Sequence, residues 1–150
     1  MTDVNPNSLL NDLLIELHRS LIQYVAEAWP WTTQQDAELK QAVERVARRQ
    51  QTDVAQLVQV LQDRGHTIDF GVYPHEYTSL HYVALEFLFN ALKQSQQELT
   101  HWIQSLISKF PSDPQAEQIV RDIAASQELG LRELSALALL ENSHSMSWMK

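Results

Sequence analysis

Gly65-His-Thr-Ile-Asp-Phe-Gly-Val-Tyr-Pro-His-Glu76 separates two long stretches of helical periodicity, and it is the one connection in the chain longer than a tight turn. At about 3.3 Å per residue, an extended segment of this size reaches roughly 40 Å, nearly the length of a long bundle helix. It can therefore cross from one end of a helical array to the other. A plain up-and-down arrangement needs only short loops, so a short, long, short pattern of connections points to one crossover.

The helices on either side are marked by proline. Pro6, Pro30, Pro74, Pro111 and Pro114 all fall where an apolar period of three and four starts or stops, as expected of a residue without the amide that a helix interior needs. The first helix is predicted from Ser8 through Leu10, Leu14, Leu17, Leu21 and Tyr24 to Trp29, followed by a Trp29-Pro-Trp-Thr-Thr33 turn. The second, near Gln34 to Arg64, carries Leu39, Val43, Val46, Leu57 and Val60 on one seam and ends at Gly65. A third begins near Tyr77, carries Leu85, Leu88, Leu92, Leu99, Trp102 and Leu106, and stops before Pro111. The fourth opens after Asp113-Pro114 and runs through Ile119, Ile123, Leu134 and Leu137 to about Glu141. One all-α domain over 1–150 is expected, with 1–7 and 142–150 frayed, and Leu17, Leu21, Tyr24, Val43, Val46, Leu57, Leu61, Leu88, Leu92, Ile119, Ile123 and Leu134 forming a single core.

Composition narrows the partners. The 150 residues hold 11 Lys plus Arg against 19 Asp plus Glu, a formal charge of −8, which repels a polyanion such as nucleic acid. The one basic cluster, Arg45, Arg48 and Arg49, sits beside Glu38, Glu44 and Asp53 and reads as a solvated face. No cysteine is present, so disulfides and thiolate metal sites are excluded. No run approaches the roughly 18 apolar residues of a spanning helix, and the start lacks a basic segment before an apolar one, so a cytoplasmic protein away from membranes is expected.

Two segments carry a family resemblance. Asp122-Ile-Ala-Ala-Ser-Gln-Glu-Leu-Gly-Leu-Arg-Glu-Leu134 resembles the last helix of ferritin-like and rubrerythrin-like proteins, and Arg49-Gln-Gln-Thr-Asp-Val-Ala-Gln-Leu-Val-Gln-Val-Leu-Gln-Asp-Arg-Gly65 is similar in shape to that family's second helix. The resemblance implies an antiparallel four-helix bundle with the long crossover between helices two and three. The family holds two metals between its helices, with a Glu from each of two and a Glu-x-x-His from each of the others. Extending the seams here puts Gln50 and Asp53 at the matching places on the second helix and Gln127 and Gly130 on the fourth. The first and third helices offer Leu17, Leu92 and Ser95 there, with Glu16, Glu86 and Glu98 displaced. Asp53 is the one firmly inward carboxylate, too few to balance a di-metal pair, so loss of the site is expected.

Other metal-like patterns are weak. Glu16 and His18 differ by two and point to different helix faces. Glu98 and His101 have Glu-x-x-His spacing, the best surviving pair, though such a pair on a surface stripe is frequent by chance. His75 and His81 are six apart, where the zinc-protease motif needs four. His66 and His75 lie in the crossover, where histidines cap helix ends or meet solvent. The three glycines, Gly65, Gly71 and Gly130, form no phosphate loop.

From Leu80 to Leu92 nearly every residue is apolar or aromatic, and a helix apolar all round is buried on more than one side. A homodimer through the third helix, anchored by Tyr82 and Phe89, is the expected cover beside the crossover. The function expected is that of a non-enzymatic module without cofactor, acting through protein contacts or a small ligand. The alternative is a di-iron or di-manganese oxidoreductase or peroxide-handling protein using shifted ligands Glu16, Asp53, Glu98 and His101.

Overall fold

The computed structural model describes the backbone of residues 5–28, 37–82 and 85–147, with the side chains of these residues except 81–86 and 138–147. The described residues are all-α, with helices α1 (Pro6–His18), α2 (Leu21–Ala28), α3 (Ala37–Asp63), α4 (Leu85–Leu106) and α5 (Pro114–Ser147). Short 3-10 stretches cover His75–Tyr82 and Ile107–Lys109. The expected Trp29–Thr33 turn, residues 34–36 and the extreme ends 1–4 and 148–150 lie outside the described residues.

The single first helix of the sequence reading is two. α1 starts two residues early, with Pro6 in its first turn and the Asn5 side chain accepting from the Asn7 amide at 2.9 Å. The break falls at Arg19 and Ser20. Ser20 Oγ accepts the Gln23 amide at 3.3 Å and its carbonyl accepts the Tyr24 amide at 3.1 Å, so a serine inside an apolar run caps a new helix. At the end of α3 the expectation holds: Gly65 takes φ +67, His66 N donates to Leu61 O and Gly65 N to Gln62 O, both at 3.0 Å, which satisfies the last carbonyls of the helix. The third expected helix begins at Leu85 rather than Tyr77, because the chain from His75 is wound as 3-10, and the fourth continues past Glu141 to Ser147.

α3 packs on α1, α2 and α5, and α5 also packs on α4. The buried apolar side chains form two clusters instead of one core. The first joins Leu10, Leu14 and Leu17 to Leu57, Leu61, Ile103, Phe110 and Ile123. The second joins Leu21, Val25, Val43, Val46, Leu88, Leu92 and Leu134. Since the first cluster holds the start of α1, the end of α3, the end of α4 and the start of α5, α1 opposes α3 and α4 opposes α5, while α3 and α4 run parallel. The crossover spans the distance between their ends: Ile68 packs against the first cluster, and Tyr77 and Leu80 against the second.

The crossover is pinned rather than loosely draped. Asn11 Nδ2 donates to Asp69 O at 3.1 Å and Asn11 Oδ1 accepts from Asp69 N at 3.0 Å. Gly71 passes so close to α1 that a Cβ there would meet Ile15 Cγ2 at 2.7 Å. Tyr24, Tyr73 and Tyr77 stack edge to face and tilted, and Tyr73 donates to Glu27 at 3.1 Å. Burial first, then the Glu27 carboxylate, pushes the Tyr73 hydroxyl up to about 12. At the other end, Arg64 grips Asp113 with both nitrogens, at 2.7 and 2.9 Å, and also reaches Asn7, tying α1, α3 and α5 together.

Phe89 does not serve as an interface anchor. It is 5% exposed and packs within the second cluster of its own chain, which also draws on α2, α3 and α5. Tyr82's side chain lies outside the described residues. The exposed ring of α4 is Phe87, at 58%.

Candidate functional site

A layer of polar side chains lies between the two apolar clusters. Gln50, Gln96 and Gln127 are almost wholly buried, and Ser20, Gln23, Asp53 and Thr100 nearly so. Gln50 is the hub. Its Oε1 accepts from Ser20 Oγ at 2.8 Å and Gln23 Nε2 at 3.1 Å, and its Nε2 donates to Gln96 Oε1 and Gln127 Oε1, both at 3.2 Å. Gln96 Nε2 donates to the Gln127 side chain at 3.0 Å and to its carbonyl at 3.1 Å. Gln127 Nε2 in turn donates to Asp53 Oδ2 at 2.7 Å. Every buried amide here has partners, which is the condition under which a polar layer is tolerated in a core.

Gly130 lies one helical turn beyond Gln127. A Cβ there would approach Val46 Cγ1 at 3.1 Å and Gln96 Nε2 at 3.5 Å, so the missing side chain lets α5 close on α3 beside the layer.

The network runs out on a charge. Asp53 accepts from Gln127 and from Ser126 Oγ, the latter at 2.8 Å. Burial nevertheless holds its carboxyl above the usual range, against those two bonds and the nearby Arg49 cation, which favour the ionised form. Outside it lies a shallow depression of about 420 Å³ edged by Arg45, Arg48, Arg49 and Thr52. Glu133 of α5 takes Arg45 at 3.4 Å and Arg49 at 3.8 Å, so the basic cluster is partly neutralised at the surface.

On the other side, α1 and α4 stand apart across a groove of about 590 Å³. From α1 it receives Asp12 and Glu16, from the break after α1 Arg19 and Ser20, and from α4 Ser95, Glu98 and Trp102; Tyr77 of the 3-10 stretch before α4 closes one wall. Ser20 belongs both to the groove lining and to the buried layer. Arg19 is paired to Glu16 at 2.9 Å.

Gln50, Asp53 and Gln127 all face inward and meet in one network. The shifted set does not assemble: Glu16 and Glu98 line the groove, Asp53 lies by the arginine depression, and His101 is exposed. Among the described residues no three His, Asp or Glu side chains are placed to share a metal ion. In the crossover His66 is half-buried and His75 is exposed. Sequence reasoning missed Ser20, Gln23 and Gln96. Stepping four residues from Leu92, rather than three to Ser95, reaches Gln96 and then Thr100, both buried.

No family model, curated protein or solved structure matches the chain. Among the described residues no helix is long and apolar enough to cross a membrane.

Proposed function

We propose that this protein is a ferritin-like four-helix bundle, α1 and α2 together forming its first helix, that has no di-metal centre and works as a non-enzymatic binding module through the groove between α1 and α4. The parallel course of α3 and α4 and the end-to-end crossover support the bundle topology. The observation that carries the functional reading is the Gln50–Gln96–Gln127–Asp53 network. A di-metal centre needs several carboxylates and imidazoles converging between the helices; this layer offers neutral amides already satisfied by one another and a single carboxylate. The groove supplies what a small-ligand site needs, a concave space with a few convergent polar groups.

The test is metal loading. After incubation with Fe(II) or Mn(II) and desalting, the protein should retain well under one metal ion per chain. Two retained equivalents would overturn this reading in favour of an iron or manganese oxidoreductase.

A further inference from the structure

We infer that the groove between α1 and α4 takes a linear aliphatic polyamine, a molecule with at least two ammonium groups on a flexible hydrocarbon body. This rests on the groove being the binding site of the module proposed above, and it names the ligand class.

The groove's charge is one-sided. Asp12, Glu16 and Glu98 face a single cation, Arg19, and Arg19 is occupied by Glu16 at 2.9 Å. Asp12 makes no hydrogen bond or ion pair among the described residues, and Glu98 has only the neutral Gln94 amide, at 3.2 Å. These two carboxylates come from opposite walls, one on α1 and one on α4, so two separated positive ends satisfy both where a single ammonium does not. An ammonium donates charge-assisted bonds to such acceptors.

The walls between are not those of a simple ion site. Trp102 and Tyr77 supply aromatic faces, which attract a cation, and Leu99 lies beside Trp102 to meet a hydrocarbon stem. The Tyr77 hydroxyl makes no hydrogen bond among the described residues. A volume of about 590 Å³ is in the range of small-molecule sites and far more than a hydrated metal cation fills. Asp12 and Glu98 are exposed to solvent in the open groove, so an anion is repelled here and an uncharged ligand leaves both carboxylates without a charged partner.

Titration calorimetry of the full chain with spermidine and putrescine, near physiological salt, tests this. Spermidine should bind at one site with a Kd on the order of 10 to 100 μM, with n-butylamine weaker by about tenfold or more because it engages one carboxylate. Asp12→Asn with Glu98→Gln should weaken spermidine by at least about tenfold. The control pair Asp63→Asn with Asp122→Asn removes the same charge from exposed sites elsewhere and should leave binding unchanged. Trp102→Leu should weaken binding severalfold with the helical circular dichroism spectrum retained, a variant that alters no charge. The proposal is overturned if millimolar spermidine gives no binding, if Mg²⁺ at equal ionic strength displaces it as well as putrescine does, or if the two double variants behave alike. Metal loading is a separate measurement, so retained iron would sink the metal-free reading while leaving a positive or negative amine result legible.

Discussion

Gln50 and Gln127 meet side chain to side chain at 3.2 Å, midway between two apolar clusters. One amide on α3 and one on α5 thereby fix the relative height of those helices, since a slip of either by one turn would strand both. Apolar packing alone tolerates such slips more readily; a fully satisfied buried network specifies one register.

Replacing Gln127 by Met keeps the volume but removes that lock. Gln50 and Gln96 each lose an acceptor, and Asp53 loses its shortest donor. The expected cost is about 2 to 4 kcal/mol of stability, since several buried groups are left short of partners at once. Urea denaturation of Gln127→Met should show it. A loss below about 0.5 kcal/mol would mean that water replaces the amide freely and that the layer is not a lock.

Asp53 gives the layer a pH dependence with a definite sign. Its folded pKa is raised above 3.8, chiefly by burial, so its contribution to stability is fully present below 3.8 and is lost as pH rises through the folded value. Asp113, lowered by its bond to Arg64, acts oppositely: its contribution is present above 3.8 and is lost as pH falls through its folded value. Asp53→Asn keeps an oxygen for Ser126 and Gln127 without the buried charge. Its stability relative to the unmodified protein should therefore rise as the pH climbs from 3.8 through the raised folded value of Asp53. Parallel pH profiles of the two proteins in denaturant would contradict this.

Several parts of this structure were open to reading from the residues, and others were not. The inward direction of Gln50, Asp53 and Gln127 is legible because a polar residue on an otherwise leucine and valine seam has nowhere else to point. The end of α3 was legible because Gly65 alone there tolerates φ +67. The break at Ser20 was hidden, since Leu17 and Leu21 keep helical spacing across it; only the hydroxyl's local bonds reveal the new start. The burial of Phe89 is not legible in the sequence, because apolarity around a helix shows how much must be covered and not which ring each neighbour covers. The scattered placement of Glu16, Asp53 and Glu98 depends on the rotation of three helices, which spacing within each helix does not set.

Gly71 should be the most sensitive position of the crossover. Its φ of +72 lies in the left-handed region, and a Cβ would come within 2.7 Å of Ile15 Cγ2, a branch attached directly to the Ile15 Cβ and unable to swing away by a distal rotation. Gly65 has a similar φ, +67, with nothing within 4 Å of the added carbon. Gly65→Ala should therefore cost the conformational penalty alone, about 1 to 2 kcal/mol. Gly71→Ala should cost that plus an overpacking cost of about 1 to 3 kcal/mol. The excess should fall in Gly71→Ala combined with Ile15→Ala, a coupling of about 0.5 to 3 kcal/mol between residues in contact. Locally, the Asp69 amide, held by Asn11 Oδ1 at 3.0 Å, should exchange hydrogen faster in Gly71→Ala than in Gly65→Ala. Equal costs for the two glycines, with Asp69 exchange unchanged, would mean that the crossover does not rest on α1 at Ile15.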